Sequence, residues 1–270
     1  MRYIRTQTDR PFGVGFITHL ISEAPRNFEV ALEEAAPMVV FSFVDPRPWL
    51  DRAKAAGAVV VCQVQTVEAA RVAAAAGADV LVAQGNEAGG HTGEANLLPF
   101  LIRLVEEYPD LPIVAAGGIA SGRSLAAGAE GACMGTGFLA TRQAVSVSDG
   151  VKELIVQSSA EDTVHTRVFD IVARATSTIA PWPRGIAARV YNNAFARQWT
   201  GRENELSDRL DEIVPAYSEA RARKDLSTVV SYFGESASFI NAIRDVADVL
   251  SGICRDAQNL LSERAARLVE

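Results

Sequence analysis

Short apolar runs rich in Val and Ile recur through the first half of the chain, and a helix-like segment follows each of them. Near-continuous hydrophobic runs are typical of parallel strands that are buried on both faces. Their alternation with helices predicts βαβ units and a single parallel sheet. The predicted strands are Phe12–Ile17, Met38–Phe43, Val59–Val64, Asp79–Ala83, Pro112–Ala116 and Ala132–Gly135. The predicted helices are Phe28–Ala35, Pro48–Ala56, Val67–Ala76, Leu97–Tyr108 and Gly122–Ala127.

An Ala-Gly-Ala triplet ends three of these helices and leads into the next strand. Gly can take the left-handed conformation that ends a helix, and the flanking Ala residues let helix and strand pack closely. The triplets therefore predict structure rather than chemistry. They are Ala56-Gly57-Ala58, Ala76-Gly77-Ala78 and Ala127-Gly128-Ala129.

The second half of the chain has a different character, and we expect a division near residue 145. Residues 1–145 are predicted to form a barrel core that carries the site loops, and residues 146–270 a helical addition. Pro181-Trp182-Pro183 is predicted to be a rigid extended turn. A regular apolar stripe predicts a last helix that packs on the barrel or on a partner subunit, or, as an alternative, forms a lid. The predicted helices are Val151–Ser159, Arg189–Trp199, Asp208–Arg223 and the stripe of Phe239, Ile243, Val246, Leu250 and Ile253.

Composition narrows the class of protein. The 270 residues are 49% hydrophobic and 22% charged, as in an ordinary globular protein with one large core. The net charge of −7 and the lack of a basic stripe argue against a nucleic acid partner. No apolar run approaches the ~20 residues of a membrane span, and Met1–Arg10 lacks a signal core, so we expect a cytoplasmic protein. The three cysteines and three histidines lack the spacing of a disulfide framework or a metal site.

A glycine-rich loop from Gln84 to Gly93 follows the fourth predicted strand. Parallel α/β folds bind ligands at the carboxyl ends of their strands. The four glycines of this loop let its backbone approach a ligand closely. His91 lies in the loop, and an imidazole can take or give a proton near neutral pH. We therefore predict His91 as the proton-handling residue.

The remaining candidates near this loop carry weaker signals. His19 and His165 lack a glycine-rich context, and we predict that both are structural. Glu87 is near His91 in the chain and is a candidate for orienting it, although side chains close in sequence often point apart.

Two more glycine turns follow the last two predicted strands. Gly117-Gly118 precedes a helix start, where free backbone N–H groups and the helix dipole favour a phosphate. Gly135-Thr136 follows the next strand, and barrels often hold a phosphate between loops of consecutive strands. A tight strand-to-helix turn without a ligand is the alternative, but it needs only one of the two glycines at 117 and 118.

At these residues the sequence resembles the nitronate monooxygenases, also called 2-nitropropane dioxygenases. The resemblance covers about residues 11 to 250, and its most specific part is the loop with His91. The matching segments are GADVLVAQG at 77–85, EAGGH at 87–91, PIVAAGGI at 112–119 and MGT at 134–136. It implies a (β/α)₈ barrel with FMN and a helical addition that oxidises alkyl nitronates with molecular oxygen.

Carried over residue by residue, the resemblance implies roles for nine positions. His91 matches the catalytic histidine. Gln63 matches a position that faces the flavin ring. The remaining cofactor-binding residues are implied in the glycine-histidine loop and the phosphate turns: Gln84, Gly89, Gly90, Gly117, Gly118, Gly135 and Thr136.

The chain departs from the family in two ways. It begins near the third strand, so the Ala-Pro-Met strand that opens the barrel has no counterpart, and we count six strands where a closed barrel has eight. Gly137 stands where many relatives carry a basic residue. We therefore expect an incomplete TIM-like barrel in the α/β class. Three readings follow: the chain is a fragment or a mis-started gene product, a second subunit or a rearranged element closes the gap, or the protein is a degenerate relative that no longer binds FMN.

Three functions remain open from sequence. The first is FMN-dependent oxidation of a small nitronate or nitroalkane by O₂. The second is NAD(P)H-dependent flavin reduction that serves quinones or enoyl thioesters. The third is a truncated barrel without catalysis. An unclosed barrel also favours a homo-oligomer.

Overall fold

The computed structural model describes residues 1–122, 130–177 and 180–269, with side chains as far as residue 263. Nine strands lie in this part of the chain. They are β1 (Gly13–Ile17), β2 (Met38–Ser42), β3 (Val59–Val64), β4 (Val80–Gln84), β5 (Gly90–Thr92), β6 (Ile113–Ala116), β7 (Gly131–Cys133), β8 (Thr163–Thr166) and β9 (Ala187–Tyr191).

Six of the strands form one parallel sheet in the order β1-β2-β3-β4-β6-β7. This confirms the predicted incomplete barrel, with each predicted strand displaced by two residues at most. The register pairs Gln84 with Ala116, and Ala116 with Cys133. The loops that follow β4, β6 and β7 therefore emerge side by side at the carboxyl edge of the sheet.

Twelve helices are described. They are α1 (Arg2–Gln7), α2 (Pro25–Glu33), α3 (Arg47–Ala55), α4 (Val67–Ala75), α5 (Leu97–Glu107), α6 (Thr136–Leu139), α7 (Asp149–Gln157), α8 (Val168–Thr176), α9 (Ala194–Trp199), α10 (Glu203–Asp208), α11 (Leu210–Ala222) and α12 (Val246–Val269). Gly57 and Gly77 end α3 and α4 with φ of +82° and +89°, as the triplets predict. The predicted helix Gly122–Ala127 and the triplet at 127–129 lie largely outside the described residues.

The main core fills the space between the parallel sheet and helices α2 to α5. Phe28, Leu50, Leu81 and Leu104 are completely buried in it. Burial of a Leu or Phe side chain stabilises a fold by about 1.5–3 kcal/mol. The core therefore fixes the sheet, and the sheet fixes where its carboxyl-edge loops begin. No described helix is long and apolar enough to cross a membrane.

The second half is not purely helical, which corrects two predictions. Strands β5, β8 and β9 form a small antiparallel sheet in the order β5-β9-β8. The helix predicted at Arg189–Trp199 is wrong in its first part, because Arg189 lies in β9 and only Ala194–Trp199 is helical. Arg189 is buried, and its charge is paired with that of Glu235 at 3.1 Å. Its charge interrupts the apolar run Ala187–Tyr191 that would otherwise indicate a strand.

The predicted stripe from Phe239 to Ile253 is not one helix. Helix α12 begins only at Val246, and Phe239 is 57% exposed in a short 3₁₀ segment. Just before α12, Asp245 accepts hydrogen bonds from Arg142 at 2.7 Å and Gln143 at 2.8 Å. These contacts hold the chain before α12 outside the helix, so the spacing of apolar residues alone was misleading.

Candidate active site

The loops at the carboxyl edge enclose a cavity of about 170 Å³. It gathers seven of the eight residues that the resemblance implies for the cofactor, and Gly90 is the exception. The seven come from four places in the chain, so only the fold brings them together. They are Gln63, Gln84, Gly89, Gly117, Gly118, Gly135 and Thr136.

The turn after β6 requires both of its glycines. Gly117 and Gly118 have φ of +116° and +66°, a region that residues with a side chain rarely adopt. A Cβ on Gly117 would also lie 3.1 Å from the backbone nitrogen of Ala88. A plain turn that needs a single glycine does not account for this geometry.

The turn after β7 leaves room at the cavity. A Cβ on Gly135 would meet no atom within 4 Å, so it would project into open space. In the described part of the chain, the N–H groups of Gly118 and Gly135 donate to no protein acceptor. Thr136 Oγ1 accepts a hydrogen bond from the backbone nitrogen of Gly234 at 2.9 Å, which fixes the turn. Free amides around an open space fit a phosphate group such as that of FMN.

The two glutamines at the cavity differ in what their amides do. Gln84 is buried, accepts from Gln65 Nε2 at 2.8 Å and donates to the backbone oxygen of His91 at 3.1 Å. Its side chain therefore anchors the histidine loop. The side-chain amide of Gln63 makes no hydrogen bond within the described residues and remains able to bind a ligand at the same cavity.

The segment from Gln84 to Gly93 is not a loop throughout. Gly90, with φ of +83°, begins β5, and His91 pairs with Ala188 of β9. Gly89 packs so closely that its Cβ would lie 2.5 Å from the backbone nitrogen of Gly234. The small sheet and this close contact fix the backbone of His91.

The His91 ring contacts two side chains whose proximity no sequence pattern indicates. Nε2 lies 2.8 Å from Asp170 Oδ1, and each of the two side chains is only 11% exposed. Trp182 stacks on the imidazole with ring centroids 3.7 Å apart and planes 16° apart. Asp170 comes from α8, and Trp182 comes from the predicted extended turn. No local signal marks either contact, because 79 residues separate His91 from Asp170.

Further aromatic and titratable groups surround this pair. Tyr232 lies 5.9 Å from His91 between ring centroids, and burial, followed by the nearby Asp170 carboxylate, raises the pKa of Tyr232 to about 12. His19 meets the Trp182 ring edge-on at 5.2 Å, and burial lowers the pKa of His19. The phenol therefore stays neutral at physiological pH, and burial favours a neutral His19.

Glu87 does not orient His91, which settles that alternative. Its carboxylate accepts the backbone N–H of Leu97 at 2.9 Å, at the start of α5. His165 contacts Thr92 Oγ1 at 3.0 Å and the backbone oxygen of Ala187 at 3.1 Å, so it joins the strands of the small sheet. Among the described residues, no group of three or more His, Cys, Asp or Glu side chains is arranged to hold a metal ion.

A curled parallel sheet with a histidine and glycine turns at its carboxyl edge defines an incomplete TIM-like barrel of the α/β class. The family model for nitronate monooxygenase matches residues 1–254. The chain therefore belongs to the nitronate monooxygenase family, as the resemblance predicts.

Two solved structures resemble the fold over nearly the whole chain. FabK from Thermotoga maritima has a TM-score of 0.81 and 31% identity, covering 98% of this chain and 82% of that one. A nitroalkane oxidase from Streptomyces ansochromogenes has a TM-score of 0.75 and 26% identity, covering 97% and 84%.

Two curated relatives differ in their described activity. One is (3aS,4S,5R,7aS)-5-hydroxy-7a-methyl-1-oxo-octahydro-1H-indene-4-carboxyl-CoA dehydrogenase of Rhodococcus jostii, 38% identical over 62% of this chain and 47% of the relative. The other is a probable nitronate monooxygenase of Staphylococcus aureus, 34% identical over 67% of this chain and 51% of the relative. The chain thus spans about half the length of these relatives.

Proposed function

We propose that this protein oxidises alkyl nitronates or nitroalkanes with O₂, using FMN and His91. The single observation that carries the proposal is the contact between His91 and Asp170, in a segment whose backbone is held by Gln84, a residue that lines the glycine-turn cavity. A residue that moves protons needs a fixed orientation and a partner for the ring nitrogen that does not face the substrate.

The residues divide the work as follows. The free amides of Gly118 and Gly135 would bind the FMN phosphate, and Gln63 would contact the flavin ring. FMN, when bound, supplies the electron transfer between substrate and oxygen. With the Nε2 proton of His91 donated in a hydrogen bond to Asp170 Oδ1, the Nδ1 lone pair would be left to remove the acidic C–H proton of a nitroalkane. With a preformed nitronate, that proton has already gone.

The test replaces His91→Asn and compares two forms of one substrate. We expect the oxidation of neutral nitroethane to fall by about 10²- to 10⁴-fold, the usual contribution of a general base. Oxidation of the preformed ethyl nitronate should fall much less. Oxygen uptake measures both rates, and the flavin absorbance confirms that FMN remains bound. Equal rates of neutral nitroethane oxidation in variant and wild type would rule out His91 as the base.

A second candidate is an NAD(P)H-dependent reductase or dehydrogenase that acts on a CoA thioester. It is favoured by the 38% identity to a relative described as a carboxyl-CoA dehydrogenase. The two candidates differ in what reduces the flavin. Without oxygen, bleaching of the flavin by NADPH supports the second candidate, whereas bleaching by ethyl nitronate alone supports the first.

A further inference from the structure

Ser236 lies in the wall of the glycine-turn cavity, although no sequence pattern marks it as a site residue. It belongs to the second half of the chain, in the 3₁₀ segment Glu235–Phe239. The residue is only 3% exposed, so protein encloses nearly all of its surface. Ser236 therefore adds a polar group from the second half to a cavity that the turns after β6 and β7 also line.

The hydroxyl of Ser236 has no hydrogen-bond partner among the described residues. Ser231 offers a comparison, because it is also 3% exposed and its hydroxyl also lacks a partner there. The Ser231 oxygen is fully enclosed, whereas that of Ser236 is not. Since Ser236 lines the cavity, its oxygen opens into that space. A hydroxyl kept from both water and protein is unfavourable unless a ligand completes its hydrogen bonds.

Contacts of the two preceding residues fix Ser236 at the cavity wall. The backbone nitrogen of Gly234 donates to Thr136 Oγ1 at 2.9 Å, and that of Glu235 donates to the backbone oxygen of Glu87 at 3.0 Å. Gly234 also packs so tightly that a Cβ there would lie 2.4 Å from the Glu87 oxygen. A donor that is already held in place loses little conformational freedom when a ligand binds.

An ion pair ties the same segment to the small antiparallel sheet. Arg189 Nη1 lies 3.1 Å from Glu235 Oε1 and donates to Thr163 Oγ1 at 3.0 Å. The Arg189 side chain is only 10% exposed, so this pair is shielded from water on one side. Because Ser236 follows Glu235 directly, the pair adds to the contacts that fix the serine.

The chemistry of the cavity leaves a need for neutral donors. None of the described residues that line it is charged. The free amides of Gly118 and Gly135 supply donors, but a phosphate carries three strong acceptor oxygens. A serine hydroxyl can donate one hydrogen bond, and hydrogen bonds to a charged group are roughly twice as strong as neutral ones. The Ser236 hydroxyl is therefore a suitable further donor to a phosphate.

We infer that the Ser236 hydroxyl donates a hydrogen bond to the phosphate of bound FMN, beside the free amides of the two glycine turns. The inference rests on the proposed function for its choice of cofactor, since it assigns one more residue to the group that holds FMN. It predicts that the loss of this hydroxyl weakens the binding of FMN but not of riboflavin, which lacks the phosphate.

The test measures the Kd of FMN and of riboflavin by equilibrium dialysis of the whole chain after bound flavin has been removed. For Ser236→Ala we expect the Kd of FMN to rise about 10- to 100-fold, the usual loss for one hydrogen bond to a charged group. The Kd of riboflavin should not change. The free variant should melt at the wild-type temperature, because the hydroxyl has no partner to lose among the described residues.

Ser231→Ala is the matched control. It removes a hydroxyl that is equally buried and equally without a partner, but Ser231 does not line the cavity. Both Kd values should stay at their wild-type level. An equal rise in the Kd of both flavins for Ser236→Ala, or no rise for FMN, would overturn the inference.

Binding and turnover, measured on the same preparations, separate this inference from the proposed function. A loss of FMN affinity in Ser236→Ala, in a protein that oxidises no nitronate, would reject the proposed activity and retain the role of Ser236. Oxidation of nitroethane by Ser236→Ala with an unchanged Kd of FMN would retain the activity and reject that role. Wild-type protein that binds no FMN would overturn both.

Discussion

Asp170 shows what a single residue adds to the candidate site. It is 9% exposed, it contacts His91 through Oδ1, and its Oδ2 is buried with no hydrogen-bond partner among the described residues. Burial of a carboxylate with an unsatisfied oxygen is unfavourable for folding. Its position is therefore better explained by the orientation of His91 than by stability.

The corresponding prediction concerns Asp170→Asn. The amide keeps the shape but loses the charge, and it can present either an oxygen or an NH₂ group to Nε2. We expect the rate with neutral nitroethane to fall by about 10- to 100-fold, as for partners that orient a functional histidine. Stopped-flow measurement of flavin reduction gives this rate. A loss of equal size with preformed nitronate would show instead that Asp170 acts in binding.

At the residue scale, the sequence predicts features that depend on the local backbone, but not contacts between side chains that are distant in the chain. His91 and the glycine turns are visible because glycines leave a local pattern in the chain. The contacts of His91 with Asp170 and Trp182 leave none, since each partner lies in a distant segment whose own pattern indicates only a helix or a turn.

Among the elements, α4 and α5 are linked by a charge cluster centred on Glu107. Arg71 of α4 lies 2.8 Å from the Glu107 carboxylate, and Arg103 of α5 lies 3.2 Å from it. The hydrogen bond from Arg71 is the main cause that lowers the pKa of Glu107 to about 2. A depressed carboxyl pKa stabilises the fold above the ordinary value near 4.3, and this contribution disappears as the pH falls toward 2.

We therefore predict that Glu107→Gln reduces the acid sensitivity of the protein. The melting temperature of the wild type should fall more steeply between pH 5 and pH 2 than that of the variant. High salt should shrink the difference, because exposed ion pairs are screened. Glu106→Gln, at the neighbouring exposed position, is the control. Identical pH profiles for wild type and Glu107→Gln would contradict the assignment.

The strands and helices of the first half were predictable because buried apolar runs alternate along the chain with amphipathic segments. Strand β5 was not, since three residues, Gly90 to Thr92, are too short to show a period. Strand β9 was missed because Arg189 interrupts its apolar run, and its partner Glu235 is 46 residues away in the chain.

Over the whole molecule, six parallel strands leave β1 and β7 as sheet edges. The six-strand count was predictable, since every strand carries its own apolar run. The joining of Gln63, the histidine segment and both glycine turns at one cavity was implied by family resemblance and by the rule that loops at carboxyl ends converge. The contact of Gly234 with Thr136 was not, because it depends on how the second half folds back onto the sheet.

That cavity joins loops from both halves, so a ligand bound there should stabilise the entire fold. At 100 times its Kd, FMN would contribute about 2.7 kcal/mol, which raises the melting temperature by roughly 5 °C. Riboflavin lacks the phosphate and should give a smaller shift.

Gly135→Ala should abolish the FMN shift without lowering the melting temperature of the free protein. The φ of −105° at this position suits alanine, and the added Cβ would meet only open space. Gly252→Ala also adds a Cβ to open space, outside this cavity, and should keep the full shift. Differential scanning fluorimetry measures the wild-type shifts with FMN and with riboflavin and the FMN shifts of the two variants. An undiminished FMN shift in Gly135→Ala would place the phosphate elsewhere.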